Sequence, residues 1–473
     1  MKSGILRGFS FLLSLVFAAA AFTGCGSQQS GSSVQSSEPT AAVASDAGTP
    51  GSLEPVKLTW WTFKNSDQKF MQSYIDKYNQ TNKDNVTINY VVQTSNNFRQ
   101  ALQLAFQSNQ APDLFTGQDL ASIYVPKGQV EALDPYITPD IKERWGDYYY
   151  SEGDNGVDGK VYSLPSQGIT YRLMYNKDLF QKAGIAAPPT SMAELVEDAK
   201  EIAQAGKAEQ VYGFAINMKN TQTSMERSVN IIGMKSGFRY YDYKTGKYDF
   251  TPYKPILEAF HQIVADGSMF PGYESLDIDP LRMQFINGKI GMYFGGAWEP
   301  SAYVGLNPDA KINYGAAPVP TVDGTVKGPS FISGLRWLFM SSTTQYKDQV
   351  WNVMNYFYSD EVQAEYARQG LGVVIIPSVV KMKQPSELKG IADFMPTKED
   401  AIYPKVPNES ALAIQGQTFD AVFAAIIGGQ MTFDKEVDGL NQKYNDALTA
   451  AIKENAVKDY KLPDFDPASL IGK

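Results

Sequence analysis

The stretch FINGKIGMYFGGAWEP, residues 285–300, places a tryptophan where it could meet a ligand. An apolar run ends in Gly295 and Gly296, and Trp298 follows two residues later. Glycines after such a run predict a strand that ends where the backbone turns or is approached closely. Trp298 is therefore predicted to be either a plug in the core or a flat platform for a ligand.

Catalytic chemistry has few residues to draw on in this chain. His261 is the only histidine and Cys25 the only cysteine. No Ser-His-Asp or Cys-His mechanism and no histidine-containing zinc cluster can be built from them. The acidic loop DNGVDG, residues 154–159, lacks the twelve-residue spacing of an EF-hand and is predicted to be a turn. We therefore predict no catalytic residue, no metal ion and no cofactor.

Composition excludes one class of partner and favours another. The chain has 42 Lys and Arg residues against 51 Asp and Glu residues, a formal charge of −9. Nucleic-acid binding needs a basic surface, so no nucleic acid is expected as a partner. The chain also has 28 Tyr, 25 Phe and 6 Trp residues. Tyrosine in excess of core needs predicts surfaces that contact ligands through a flat face and a hydroxyl.

The first residues predict export. Two basic residues precede the apolar run Phe9–Phe22, which is too short to span a bilayer, and small residues follow. This pattern is typical of a secretory signal peptide, predicted over residues 1–24. The segment ends in FTGC, which resembles the lipobox of bacterial lipoproteins, although Phe22 stands where that motif usually has an aliphatic residue. Lipidation of Cys25 is expected, and ordinary cleavage with a spare cysteine is the alternative.

Residues 25–55 are predicted to be a flexible linker that begins at the lipidated cysteine. They are rich in Ser, Gln, Gly, Ala and Thr and nearly lack large apolar side chains. Such a segment cannot bury enough surface to fold. With a lipid such as palmitate on Cys25, it would hold a domain near a membrane without embedding it. No later apolar run is long enough to span a bilayer.

Strands and helices alternate after the linker. The pattern is strand, helix, strand, helix, strand, over Val56–Phe63, 70–78, Val86–Val92, 97–108 and APDLFTG. This order predicts a parallel α/β sheet, in which loops at the carboxyl ends of the strands form the ligand crevice. Trp60, Trp61 and the loop 115–119 are therefore expected at the same edge.

A second α/β region begins near Tyr162. Its signals are a strand running into a helix at 171–180, a helix at 188–203 capped by Thr190 or Ser191, strands in KINYGAAPVP and SFISGLRWLFMSS, and helical patterns at 346–369 and 417–455. About 420 residues follow the linker, more than single cores usually reach, so two domains are expected.

The order of several fragments resembles the extracellular solute-binding proteins of ABC importers, specifically the maltodextrin-binding type that captures sugars. The fragments are DGKVYSLP, YRLMYNKDLFQKAGIAAPPTSMAEL, FINGKIGMYFGGAWEP, NYGAAPVP and SFISGLRWLFMSS, followed by a helix that reaches Ser359-Asp360-Glu361. Each fragment is weak alone, but the order and spacing are specific, and the resemblance covers Val56 to about Lys453. The lipobox and linker match Gram-positive members, which lack a periplasm.

The resemblance implies a type II periplasmic-binding-protein-like fold of two α/β lobes, each a mainly parallel sheet flanked by helices. The N-terminal lobe would hold 56–164 plus 290–345, and the C-terminal lobe 165–289 plus 346–473. Ligand would bind in the cleft between them, and hinge closure would exclude water. The implied role is a monomeric, non-enzymatic receptor that delivers a sugar or oligosaccharide to an ABC permease at the extracellular face of the cell membrane.

Sugars need two kinds of partner, and the resemblance suggests where these lie. The C–H faces of a sugar stack on aromatic rings, while its hydroxyls need hydrogen bonds from planar polar groups. The resemblance places Trp298 on a tryptophan that stacks a sugar ring. In the loop 115–119, Gln118 and Asp119 fit the polar role, and Thr116 or Gly117 replaces the family's aromatic residue. Helix capping by Asp119 is the alternative.

The first strand offers further aromatic candidates. Alternation sends Trp60 and Trp61 to opposite faces of the sheet, and which of the two faces the cleft stays open. Trp61 and Phe63 are the predicted ligand contacts. Asn97, after the second strand, could reach a hydroxyl or act as a helix N-cap.

The segment near the expected hinge departs from the family. Tyr171 and Arg172 lie where the family carries a ligand-binding acid, which is absent here. Arg172 could clamp a vicinal diol or a carboxylate, or form a salt bridge between the lobes. Arg336 offers a similar group, and Glu299, beside the predicted platform, is a further candidate.

The C-terminal helical part departs as well. The family stacks a second aromatic residue at a place that matches Gly416, and none is present here. Gln415 and Gln417 flank that position and could replace stacking with hydrogen bonds. The ligand is therefore not expected to be maltodextrin itself.

Rival functions stay open at this point. A secreted glycoside hydrolase would need two carboxylates flanking one bond, and no acid falls at a recognisable hydrolase motif. A binder of non-sugar solutes such as polyamines would need a strongly acidic cleft. Arg172 and Arg336 argue against a polyamine cleft and leave uronic-acid sugars open.

Overall fold

The computed structural model describes residues 54–472 except 66, 383–385 and 387. The predicted signal peptide, Cys25 and nearly all of the predicted linker lie outside the described residues. Every helix within the described part is too short or too polar to cross a bilayer.

Fourteen strands and sixteen α-helices are described, together with short 3₁₀ turns. The strands are β1 (Val56–Thr62), β2 (Val86–Val92), β3 (Leu114–Thr116), β4 (Gly156–Val157), β5 (Lys160–Val161), β6 (Pro165–Asn176), β7 (Tyr212–Phe214), β8 (Tyr241–Asp242), β9 (Lys247–Tyr248), β10 (Ile290–Gly296), β11 (Tyr314–Ala317), β12 (Ser330–Met340), β13 (Val373–Val374) and β14 (Asp400–Ala401). The helices are α1 (Gln68–Thr81), α2 (Ser95–Gln107), α3 (Ala121–Tyr124), α4 (Pro139–Trp145), α5 (Lys177–Ala183), α6 (Met192–Ala205), α7 (Thr221–Met225), α8 (Ile231–Lys235), α9 (Lys254–Ala265), α10 (Ile278–Ile286), α11 (Glu299–Leu306), α12 (Lys347–Phe357), α13 (Asp360–Arg368), α14 (Pro377–Lys381), α15 (Phe419–Ile427) and α16 (Phe433–Lys453).

The first region is built on three parallel strands. β1 pairs in parallel with β2 on one side and with β3 on the other. The predicted helical spacing is confirmed, because α1 buries Phe70, Met71, Ile75 and Tyr78 on one face. Leu58 from β1 is fully buried in the same core. The order strand, helix, strand, helix, strand thus produces the predicted α/β layer.

Two long strands carry the sheet from the first region into the second. β12 pairs with β3 near Leu338 and with β6 near Ile332. β6 pairs with β12 through its first half and with β10 through its second half. The resulting strand order is β2-β1-β3-β12-β6-β10-β7. At about 3.3 Å per residue, the twelve residues of β6 span roughly 40 Å, enough to cross between two cores.

The second region has a mixed sheet and a core of its own. β10 runs parallel to β7 and antiparallel to β6, and β11 also pairs antiparallel with β6. α6 packs Leu195 and Ile202 into this core, and α9 packs Leu257 and Phe260. The predicted cap of α6 is Ser191, which forms a reciprocal capping box with its third helical residue.

The cores differ from the predicted lobe boundaries in two places. α12 and α13, predicted for the C-terminal lobe, bury Val350 and Val362 in the same core as β1. β10, predicted for the N-terminal lobe, carries Met292 and Phe294 into the core of the second region. The chain crosses between the regions more than twice, and residue order alone does not show on which sheet a helix packs.

The loop 154–159 forms the predicted turn. β4 and β5 pair antiparallel through two turn residues, Asp158 and Gly159, which have φ of +51° and +80°. Two positive φ values in succession are the backbone of the commonest tight hairpin, which favours Asp-Gly.

Candidate functional site

The turn after β10 holds Trp298 against the backbone that precedes it. A Cβ added at Gly296 would lie 2.5 Å from Cη2 of Trp298, and one added at Gly295 would lie 2.5 Å from Cγ of Glu299. Each glycine therefore makes room for a different side chain. Trp298 is half-buried: it packs on the second core and keeps part of its surface accessible. The position suits a platform better than a plug, because a plug would be enclosed.

Two side chains frame the indole ring of Trp298. The ring of Tyr171, from β6, meets it edge-on with centroids 5.8 Å apart and planes at 90°. The guanidinium carbon of Arg227 lies 5.1 Å from the indole centroid. A guanidinium over an indole is stabilised by about 0.5–1 kcal/mol at accessible sites. The platform thus has a charged, planar neighbour.

Arg227 lies in an irregular stretch of helix. Residues Glu226–Asn230 form a single π-helical turn between α7 and α8. Such turns are frequent at functional sites, because the wider turn shifts side chains out of regular helical register.

A second arginine lies on a tyrosine in the segment that follows α8. The guanidinium carbon of Arg239 is 5.1 Å from the centroid of Tyr240. Its Nη1 donates to the hydroxyl of Tyr243 at 3.2 Å, and its Nη2 donates to the hydroxyl of Tyr240 at 3.3 Å. The Nε of Arg239 is enclosed and has no hydrogen-bond partner among the described residues.

Three carboxylates share the electrostatic environment of these arginines. Glu226 is exposed to water, yet desolvation by the surrounding protein raises its pKa, while Arg227 and Arg239 oppose that rise. Burial likewise raises the pKa of Glu409 to about 7, with Arg239 opposing and Asp420 adding to the effect. Glu226 is therefore accessible to water while the surrounding protein disfavours its charged form.

We call these side chains the arginine–aromatic cluster. Its members are Tyr171, Glu226, Arg227, Arg239, Tyr240, Trp298, Glu409 and Asp420. They come from β6, the π-helical turn, the segment after α8, the end of β10 and the start of α15 with the segment before it. Flat rings, planar donors and carboxylate acceptors are combined here, which is the chemistry needed to bind a polar, ring-shaped solute.

The edge of the first sheet carries the other predicted aromatic residues. Trp60 is buried, and its Nε1 donates to Oγ1 of Thr116 at 3.2 Å. Trp61 points to the opposite face, where it and Phe63 are half-buried against a small core that includes Phe98. Trp61 is therefore the accessible member of the pair.

The polar candidates lie at the same edge. Oδ1 of Asp119 accepts from Nε of Arg99 at 2.8 Å, and a quarter of the Asp119 side chain is exposed. The N-cap of α3 is Leu120, so the capping alternative for Asp119 is wrong. Gln118, half-buried beside Asp119, and Asn97, exposed in the first turn of α2, stay predicted ligand contacts.

Arg172 forms a salt bridge, which was the alternative to ligand binding for this residue. Nη1 and Nη2 donate to the two carboxylate oxygens of Asp400 at 2.9 and 3.0 Å. Its other N–H groups donate to the carbonyl oxygens of Tyr171, Asp393 and Met395. All five donors are used, and the side chain is 5% exposed. The prediction that Arg172 binds the ligand is corrected: it ties the crossing strand β6 to the β14 segment.

Glu299 is also corrected. Nε and Nη2 of Arg282 donate to its two oxygens at 2.8 and 2.7 Å, and the hydroxyl of Tyr293 donates at 2.6 Å. The Glu299 side chain is 1% exposed, so it has no access to a ligand. Gly295 leaves the space in which this buried pair forms, a role that the sequence did not reveal.

For three predicted residues, the described part of the chain shows no contact with the arginine–aromatic cluster. The side chain of Arg336, in β12, lies outside the described residues. Gln415 and Gln417 are exposed in the segment before α15, on either side of Gly416, which has φ of +76°. The Gln417 carbonyl accepts a hydrogen bond from Nζ of Lys443.

Sequence reasoning missed six members of the cluster: Glu226, Arg227, Arg239, Tyr240, Glu409 and Asp420. The first two sit in SMERSVN, where no hydrophobic periodicity marks a π-helical turn. A signal was present in FRYYDY, because an arginine followed by consecutive tyrosines can stack and donate to their hydroxyls.

Comparison with known proteins gives a family match and a fold match. The model of the family described as "Bacterial extracellular solute-binding protein" matches residues 64–364. The maltotriose-binding protein of Pyrococcus abyssi is 23% identical over 331 residues, covering 68% of this chain and 67% of that protein. The maltodextrin-binding protein MdxE of Bacillus subtilis is 26% identical over 315 residues, 64% of this chain and 70% of that protein.

Among solved structures, the GacH receptor of Streptomyces glaucescens, determined unliganded and with acarbose, has a TM-score of 0.66. It is 18% identical and covers 84% of this chain and 99% of its own. This likeness establishes the fold: two α/β lobes of the type II solute-binding architecture, with the sheet passing between them through β6 and β12.

Proposed function

Because the chain belongs to the bacterial extracellular solute-binding protein family, we propose that it captures a sugar or oligosaccharide by hinge closure and delivers it to the permease of an ABC importer. The observation that carries the sugar assignment is the accessible indole of Trp298, held over Gly296 with planar donors and carboxylates around it. The relatives that bear sugar-binding names support the same ligand class.

Two surfaces are proposed to close on the ligand. One is the arginine–aromatic cluster of the second region. The other is the edge of the first sheet, with Trp61, Phe63, Asn97, Gln118 and Asp119. Hinge motion of β6 and β12 would bring the two together and exclude water, so that hydrogen bonds to sugar hydroxyls strengthen.

The proposed lobes follow the cores. The first lobe would comprise β1 to β5 with the end of β12 and α12 to α14, and the second would comprise most of the chain from β6 to the start of β12 with α15 and α16. This division differs from the predicted boundaries at β10, α12 and α13 because packing, rather than order along the chain, defines it.

The tether and partners are part of the proposal. Lipidation of Cys25 after removal of residues 1–24 would anchor a monomeric receptor at the outer face of the membrane, close to its permease. The receptor role requires no catalytic residue and no cofactor. The alternative of a glycoside hydrolase is supported only by the number of Asp and Glu residues in the chain.

The platform is tested by replacing Trp298 with alanine. The full chain is screened by thermal shift against neutral and acidic oligosaccharides, and the best ligand is followed by calorimetry. We expect Trp298→Ala to abolish ligand stabilisation, because the stacking contact between the sugar ring and the indole is lost. The melting temperature of the ligand-free protein should change little, because the indole is only half-buried.

The matched control is Trp351→Ala. Trp351 is also half-buried and stacks on Tyr136 with centroids 5.3 Å apart, but it lies on α12 in the first region. Its loss should leave ligand binding intact. A large fall in ligand-free stability for Trp298→Ala with binding retained would support a core plug and sink the platform. No shift with any sugar would overturn the sugar assignment.

A further inference from the structure

The arginines whose side chains the structure describes fall into two groups. Those paired with a carboxylate within 4 Å are Arg99, Arg144, Arg172, Arg282 and Arg368. Arg227 and Arg239 form no such pair with any described residue, and each lies 5.1 Å from the centroid of an aromatic ring instead. Both belong to the arginine–aromatic cluster.

We propose that Arg227 and Arg239 bind a carboxylate on the captured sugar, so that the ligand is an acidic, uronic-acid-containing saccharide rather than a neutral maltodextrin. This inference rests on the proposed function and names the class of its ligand.

Stacking positions Arg227 to donate to a ligand. A guanidinium donates its N–H groups in its own plane, and stacking on an indole uses its flat face. Arg227 lies over the ring of Trp298, interacts with the hydroxyl of Tyr171 and has no carboxylate within 4 Å among the described residues. A sugar ring lying on the same platform would place its substituents beside the guanidinium.

The Nε–H of Arg239 is a hydrogen-bond donor that has no acceptor among the described residues. The two Nη atoms of this arginine are oriented by Tyr240 and Tyr243, while the Nε–H is enclosed. An enclosed donor without a partner is costly. A carboxylate binds an arginine side-on through Nε and one Nη, which would satisfy this group.

Closure of the cleft favours an anion over a neutral ligand. Arg227 and Arg239 are both half-buried, so each keeps only part of its surface accessible to water before closure. When the lobes close, a neutral sugar would leave two guanidinium groups with no anion in contact, and desolvating such charges is unfavourable. A carboxylate brought by the ligand supplies the missing counter-charge at the moment water leaves.

The acids of the cluster limit how much negative charge the ligand can carry. Glu226, Glu409 and Asp420 already lie near the arginines, although beyond ion-pair distance. Oδ2 of Asp420 accepts a hydrogen bond from Thr221, which holds that carboxylate in place. One carboxylate in contact with the arginines fits this balance better than a doubly charged phosphate group at the same place.

The test compares an acidic saccharide with its methyl ester, which lacks the charge, and with two further ligands of different chemistry. The full chain is titrated by calorimetry with digalacturonate, with the methyl ester of digalacturonate, with maltotriose and with glucose 6-phosphate. We expect digalacturonate to bind at least about tenfold more tightly than its ester, the effect of losing one charged hydrogen-bonded contact.

Arginine variants locate the effect. Arg239→Met and Arg227→Met should each weaken digalacturonate binding at least about tenfold and leave binding of the ester nearly unchanged. The control, Arg368→Met, removes the same charge from α13, where Arg368 pairs with Glu365, and should change neither. Circular dichroism melting of each variant checks that it is folded.

The pH dependence of ligand affinity gives an independent test. Besides burial, the groups that shift the pKa of Glu409 are Arg239, Asp420, Glu226 and Tyr240. A bound carboxylate nearby would raise the pKa of Glu409 further, so binding would take up a proton. Affinity for digalacturonate should then rise as pH falls from 8 to 6, and Glu409→Gln should flatten that dependence.

Each remaining outcome counts against one part of the proposal. Maltotriose or the ester binding as tightly as digalacturonate, with arginine variants affecting all alike, would overturn the acidic-ligand inference and leave the sugar receptor standing. Tighter binding of glucose 6-phosphate would overturn the choice of a carboxylate. Failure of every saccharide to bind would overturn the proposed function itself.

Discussion

The buried ion pairs and the arginine–aromatic cluster use the arginine side chain in opposite ways. Arg172 and Arg282 are enclosed and each grips a carboxylate through two nitrogens. Arg227 and Arg239 lie over aromatic rings, and the enclosed Nε of Arg239 has no hydrogen-bond partner among the described residues. An arginine whose donors are all paired fixes structure, whereas we propose that one lying over an aromatic ring with no carboxylate in contact binds a ligand.

The difference also explains why the ligand prediction for Arg172 was wrong. A buried charge is tolerated only when a partner and further hydrogen bonds compensate its desolvation. Arg172 lies where β6 crosses between the cores, a place that closure must not disrupt. Its five hydrogen bonds hold the crossing strand in place, and they leave no donor of Arg172 for a ligand.

The largest expected effect comes from breaking one of the closed pairs. Glu299→Ala would leave Arg282 buried with only the exposed Asp279 as a partner. Removing one member of a buried pair typically costs about 3–5 kcal/mol, so we expect the free energy of unfolding to fall by that order. Urea denaturation monitored by tryptophan fluorescence measures it.

Asp279→Ala serves as the control for that experiment, because its carboxylate is 62% exposed and such pairs contribute little, about 0–1 kcal/mol. A loss for Glu299→Ala no greater than for Asp279→Ala would erase the distinction between closed and available arginines.

An intermediate effect is expected from pH. The pKa of Glu409 is about 7 in the folded protein, because of burial, against an ordinary 4.5. Between these values the unfolded chain loses this proton and the folded chain keeps it, so stability should fall as pH rises from 4.5 to 7. The slope is at most about 1.4 kcal/mol per pH unit.

Glu409→Gln isolates this contribution. Burial beside Glu201, Glu194 and Glu197 raises the pKa of Asp198 to about 7 as well, so the wild-type slope has at least two sources. The variant should therefore reduce the slope between pH 5 and 7 rather than remove it. Equal slopes for both proteins in chemical denaturation would mean that the cluster does not desolvate Glu409.

The smallest effect is expected where an available arginine is removed. Arg227→Met gives up a cation–π contact and no ion pair, so the free energy of unfolding of the ligand-free protein should fall by no more than about 1 kcal/mol. Thermal melting measured with the Glu299→Ala samples gives the contrast directly. A fall of several kcal/mol would assign Arg227 to the structural group.

Local patterns were sufficient for much of the fold. The spacing in α1, the Ser191 cap of α6, the Asp158-Gly159 turn and the strand that becomes a helix after Asn176 all follow from periodicity and turn chemistry within a few residues. The lobe boundaries at β10, α12 and α13 did not follow, because they depend on which core each element meets.

The sequence by itself determined that this chain is an α/β protein of a solute-binding family, and it predicted Trp298, behind two glycines, as the leading ligand platform. Those features are encoded in short segments and in their order. Only the tertiary structure decided that Arg172 and Glu299 are enclosed in ion pairs while Arg227 and Arg239 are available. The reason is that an arginine's role depends on its neighbours in space, and carboxylates such as Asp400 and Glu409 are brought to it from distant parts of the chain.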